Sequence, residues 1–134
     1  MNRTRLIALA LSLGLASPAL ADSYAAISNT AMSITGDIEF DDFGITFENG
    51  KKIEFDDLIG DTFVVDGKSV PASVYSVADP KDPVLLNGNT LCGAPVTYVA
   101  SWSGATENDT VVAVFSTEDA PESSDEMCAS YTYE

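Results

Sequence analysis

The stretch DIEFDDFGITFENGKKIEFDDLIGD, Asp37 to Asp61, decides the fold. Ile38 and Phe40, then Phe43, Ile45 and Phe47, then Ile53 and Phe55 recur at every second position. That period belongs to antiparallel strands with one face buried and the other wet. A two-residue turn at Asn49-Gly50 would pair Phe47 with Lys52 and Thr46 with Ile53, mixing apolar and polar side chains on each face. A three-residue loop, Glu48-Asn49-Gly50 with Gly50 left-handed, instead pairs Ile45 with Ile53 and Phe43 with Phe55 and keeps the apolar face whole. Glu39, Thr46, Lys52 and Glu54 then fall on the solvent face. Most of the nine carboxylates in this stretch are therefore expected to be the wet side of a sheet.

The same logic extends both ways along the chain. Upstream, Met32, Ile34, Ile38 and Phe40 alternate with Ser33, Thr35, Asp37 and Glu39, which predicts a strand from Met32 to Phe40. Downstream, a two-residue Asp66-Gly67 turn pairs Val65 with Lys68 and Phe63 with Val70, and Pro71 marks an edge strand or a bulge. The run VADPKDPVLLNGNTLCG, with Pro80, Pro83, Gly88 and Gly93, reads as a long surface loop ending at Cys92. VTYVASW (Val96–Trp102) and VVAVF (Val111–Phe115) are apolar on both faces, so both are expected in the centre of the sheet. CASYTYE carries Tyr131 and Tyr133 on one face and Cys128 on the other. The fold class that follows is all-β, a small antiparallel β-barrel or sandwich of about seven or eight strands.

The chain opens MNRTRLIALALSLGLASPALADSYA. Arg3 and Arg5, the apolar run Leu6 to Ala16, and Ala19-Leu20-Ala21 predict a signal peptide over residues 1–21, cut between Ala21 and Asp22. Residues 22–134 are then one secreted β-domain, in the periplasm or outside the cell. An apolar run of about a dozen residues falls short of the ~20 that a spanning helix needs, and no cysteine follows the cut, so no membrane anchor is expected. Cys92 and Cys128 are the only cysteines, and in an exported chain they are expected to form a disulfide. That bridge closes a loop of about 37 residues and contributes roughly 3–4 kcal/mol on chain-entropy grounds.

Composition closes off much of chemistry. The chain has no histidine, and its two arginines precede the cleavage site. Triads that use histidine and His-ligated zinc are excluded, and residues 22–134 lack the guanidinium fork for phosphate or carboxylate recognition. Four lysines stand against 21 Asp and Glu in that segment, a net charge of −17. Such a surface repels nucleic acid and anionic membranes and attracts basic proteins or divalent cations. No catalytic residue, cofactor or metal ligand is assigned, and the protein is read as a non-enzyme. The primary expectation is a protein-binding or inhibitor module for a basic partner. Its candidate contact residues are Tyr75, Tyr98, Trp102, Ser103 and Gly104, with the 78–93 and 102–109 loops as rims. The alternatives are a calcium-binding protein using paired carboxylates such as Asp41-Asp42 and Asp56-Asp57 and, last, a carboxylate-dependent hydrolase.

From DPVLLNGNTLCGAPVTYVASWSG through VVAVFS to CASYTYE, the chain resembles a group of small secreted proteobacterial proteins of unknown function. The resemblance implies export, a β-rich domain and a Cys92–Cys128 bridge, and no activity. At the level of fold, the chain is also similar to periplasmic inhibitors of c-type lysozyme, small disulfide-bonded barrels that insert a Ser-Gly loop into the enzyme's cleft. Ser103-Gly104 is the local match. Ala105, Thr106 and Glu107 stand where that family's motif continues with Tyr and Lys.

Overall fold

The computed structural model describes residues 22–134, so the signal peptide expected over residues 1–21, with Ala21 at its expected cut, lies outside the described residues. Eight antiparallel strands follow one another as a meander: β1 (Asp22–Tyr24), β2 (Ile38–Asp41), β3 (Gly44–Thr46), β4 (Lys52–Val65), β5 (Lys68–Lys81), β6 (Val96–Ser103), β7 (Thr110–Phe115) and β8 (Ala129–Tyr133). The sheet curls into a nearly closed barrel. Its seam is made by the chain just after β1, where Ala25 and Glu134 exchange N–H···O bonds (2.8 and 2.9 Å) and Ile27 N–H donates to Thr132 O (2.9 Å).

The hairpin registers are those the alternation requires. Ile45 lies opposite Ile53, and Thr46 opposite Lys52. Gly50 takes the left-handed conformation at φ 90°, while Phe47 N–H donates to Lys51 O across the loop. Val65 pairs with Lys68 and Phe63 with Val70 around a turn in which Asp66 and Gly67 both have positive φ. The Cys92–Cys128 disulfide is present, with its Cα atoms 5.5 Å apart.

Three expectations are corrected. Residues Ala31–Thr35 form a short π-helical turn, not a strand, and β2 starts only at Ile38. The turn buries Ala31 and Thr35, four residues apart, and leaves Met32 exposed. Ser28 Oγ anchors it by accepting from the N–H groups of Ala31 and Thr132, and the Thr35 hydroxyl meets that of Tyr133 at 2.7 Å. Phe43 does not join the core. β2 and β3 meet in a tight turn with Asp41 opposite Gly44, and a residue at the corner of a turn no longer follows the strand's parity. Finally, β5 continues through Pro80 to Lys81, so the long loop starts at Asp82.

That loop packs over one end of the barrel. Asp82 accepts the backbone N–H groups of Leu91, Cys92 and Gly93 at 2.7–3.2 Å. Leu85 and Leu91 enter the interior, and the Tyr131 hydroxyl donates to Leu91 O at 2.8 Å. The interior is filled by Ile38, Ile45, Ile53, Val99, Val112, Tyr131 and Tyr133, among others.

β6 and β7 stand sixth and seventh of the eight strands and not at the centre of the sheet; they are apolar on both faces because a second apolar cluster lies outside the barrel. Beyond Phe55, successive register shifts bend β4 against β5, and the far half of this hairpin becomes an arm. Phe63 stacks on Trp102 at 5.8 Å and meets Phe115 edge-on at 5.7 Å, over Ala100 and Ala113. The arm is held at its tip by Val64 N–H to Glu122 O and by Asp66 N–H to Ser124 Oγ. Truncating Phe63 removes the ring that joins arm to barrel. Phe63→Ala is expected to cost about 3–4 kcal/mol of unfolding free energy in a urea titration, with Trp102 fluorescence shifting to the red in the folded protein.

Candidate protein-binding surface

The residues singled out from sequence do not form one surface. Tyr75 is 2 % exposed. Its ring stacks on Phe55 at 4.2 Å, and its hydroxyl donates to Asp42 Oδ1 at 2.7 Å. The strand alternation that makes Tyr75 a barrel-lining residue removes it from any contact face. Tyr98 and Trp102 do share the outer face of β6, but both pack half-buried into the cluster under the arm. Ser103 is exposed, and Gly104 closes the β6–β7 turn by donating its N–H to Asp109 O at 2.8 Å. The two proposed rims also separate. The Asp82–Pro95 loop precedes β6 and the 103–110 turn follows it, so the eight residues of β6, roughly 23 Å of strand, stand between them.

What the fold does assemble lies on β2, β3 and β4. Glu39, Thr46 and Lys52 form one cross-strand row, and Asp41, Gly44 and Glu54 the next. Both rows face solvent, opposite to Ile38, Ile45 and Ile53. Gly44 is required here because a Cβ would collide with Ile53 O and approach Glu54 Cα to 3.2 Å. At the end of this acidic face, Asp41 Oδ1 accepts the N–H groups of Phe43 and Gly44 at 2.7 and 3.1 Å. Asp42 is drawn inward to Tyr75. Phe43, which follows these two anchored aspartates, is 80 % exposed. A rigid turn therefore presents an aromatic ring beside carboxylates.

Two further apolar residues face solvent on the same strand system, Leu58 at 57 % and Ile59 at 43 %, flanked by Asp56, Asp57 and Asp61. Sequence reasoning missed all three. For Phe43 a signal existed: Asp41 and Gly44 occupy the first and fourth positions of the commonest β-turn. Leu58 and Ile59 carry no comparable mark.

Comparison with family models, with curated proteins and with solved structures finds no match to this chain.

Metal coordination gains no support from the carboxylates. Among the described residues, no three Asp, Glu or Cys side chains come close enough together to hold an ion. A cleft of about 580 Å³ is bordered by Asp37, Glu39, Glu48 and Glu134. Two of these are occupied with backbone, since Asp37 Oδ1 accepts from Ala26 N–H and Glu48 Oε1 from Asp37 N–H.

The buried tyrosines give the barrel a pH limit. Burial first, and then the hydrogen bond to Asp42, push the Tyr75 phenol up to about 12. Burial and the charge of Asp82 push Tyr131 up to about 12, and burial raises Tyr133 as well. The folded state thus holds these protons more tightly than the unfolded chain, whose phenols ionise near 10. The associated stability is complete below pH ~10 and is lost as pH rises towards 12. Urea midpoints are expected to fall over that window, in step with delayed phenolate absorbance. In Asp42→Asn the Tyr75 transition is expected to move down, because the carboxylate no longer opposes phenolate formation.

Proposed function

We infer that this protein is a non-catalytic binding domain for a basic protein partner and works in an oxidising, extracytoplasmic compartment. The observation that carries the reading is Phe43. A ring held out by a hydrogen-bonded turn loses little entropy when a partner covers it, and its full burial is worth about 2–3 kcal/mol. The surrounding Glu39, Asp41 and Glu54 and the net charge of −17 over residues 22–134 supply long-range attraction to a positively charged surface and discourage acidic ones. The disulfide supports the compartment, and the signal peptide read over residues 1–21 agrees with it. The resemblance read from the sequence to c-type lysozyme inhibitors suggests one basic target class as a probe, although the matching Ser103-Gly104 lies at a turn at the end of β6 and not on the Phe43 face.

The test is capture of a c-type lysozyme, as the basic probe, on immobilised oxidised protein at about 0.15 M salt. Binding is expected to weaken steeply with added salt, and Phe43→Ala to weaken it about tenfold or more. Phe43 is 80 % exposed, so the variant is expected to keep the wild-type urea midpoint. Failure to retain the lysozyme or any other strongly basic protein would overturn the reading.

A further inference from the structure

We propose that the outer edge of β4 between Phe55 and Val64 receives an extended, lysine- or arginine-containing segment of the partner as an added strand. The inference rests on the basic-partner reading above and assigns it a second contact. β4 is fourteen residues long, but its neighbour β3 is three. Pairing on that side ends where Phe55 N–H donates to Phe43 O at 2.8 Å, and resumes only where Val64 N–H reaches Glu122 O and Val64 bridges Ser123. Among the described residues at positions 56–63, only Leu58, Gly60, Thr62 and Phe63 have a strand partner, and each of those partners is on β5. Between these two paired ends the outer side of β4 has no neighbouring strand. Strand alternation fixes one backbone donor there: Val64 N–H points outward, so Thr62 N–H, two residues away, points outward too.

An open edge can equally be a protected one, and the other edge of this arm is. Pro71 lies opposite Thr62 on the part of β5 that extends past its last partner on β6, Ser73 with Ser101. Proline there removes a donor and blocks strand addition. The β4 edge has no proline; register shifts and three aspartates do interrupt it, but it exposes Leu58 and Ile59 beside them. Two shallow grooves follow it, one of about 330 Å³ along Leu58–Asp61 and one of about 280 Å³ between Ile59, Phe63 and Pro121. Grooves beside an open edge suit the alternate side chains of an added strand. Charge selects the occupant. Asp56, Asp57 and Asp61 line the edge, and no lysine lies between Lys52 and Lys68. A second copy of this chain would bring the three carboxylates against their own counterparts, whereas a basic segment neutralises them.

The experiment uses an eight-residue probe of alternating lysine and valine, its glutamate–valine analogue, and a lysine–valine version N-methylated at alternate residues. Each is titrated into the isotope-labelled, exported and oxidised protein. Expected are saturable amide shifts within residues 56–63 for the first peptide, at least tenfold slower exchange of the Thr62 amide, and at least tenfold weaker binding of the other two. Thr62→Pro, which removes one outward donor, is expected to weaken the first peptide similarly, and Leu58→Lys to do so without altering the backbone. Equal binding of the N-methylated peptide would overturn strand addition, because charge alone would then account for the contact. So would shifts confined to the Phe43 face, or self-association through residues 56–63. If lysozyme is retained in a Phe43-dependent way while no peptide touches this edge, the strand proposal fails and the basic-partner reading stands. If lysozyme is not retained either, both fail.

Discussion

The fold depends on the seam between the first and last described segments. Residues 22–24 pair with β2 and residues 25–28 with the end of β8, so one short stretch serves both edges of the meander. Without it β8 would end the sheet as an open strand, and Tyr131 and Tyr133 would line a trough and not an interior. Closure makes their hydroxyls buried groups that must find partners. They find Leu91 O and Thr35 Oγ1, each on a loop at the barrel end. The seam, the two tyrosines and the end-covering loops are therefore one cooperative unit.

The second organising element is the bend in β4. A hairpin of fourteen-residue strands is too long for this barrel, and the register shifts after Phe55 turn its far half across the outside. Phe63 then covers Trp102, Phe115 and the small residues Ala100 and Ala113, whose lack of bulk leaves room for the arm. The bend has a consequence at the surface. It carries β4 away from β3, and the backbone beyond Phe55 loses its neighbour. Burial on one side of the arm and an open edge on the other have the same geometric cause.

The candidate surface was less legible than the fold, for reasons visible at single residues. Alternation places Tyr75 on a face but cannot say which face is inside until the sheet has curled, and so an aromatic beside a loop looked available when it lines the interior. Phe43 erred the other way. Its parity matches Ile45, yet Asp41 Oδ1 accepts the N–H groups of Phe43 and Gly44, and β3 begins only at Gly44. Trp102 and Tyr98 were rightly put on one face, but their cover comes from a hairpin some forty residues earlier in the chain, a contact that no local pattern encodes.

Period-two patterning, turn chemistry and the cysteine count were enough by themselves to determine an antiparallel, disulfide-closed β-domain and the hairpin registers at Gly50 and Asp66-Gly67. These follow from interactions between residues near in sequence or from composition, which the chain carries openly. Tertiary structure alone decided that the meander closes, that the long loop covers a barrel end instead of standing free, and that Phe43 and the β4 edge are the parts left without cover. Exposure is a property of what the rest of the chain fails to reach, and that is settled only when the whole sheet has bent and packed.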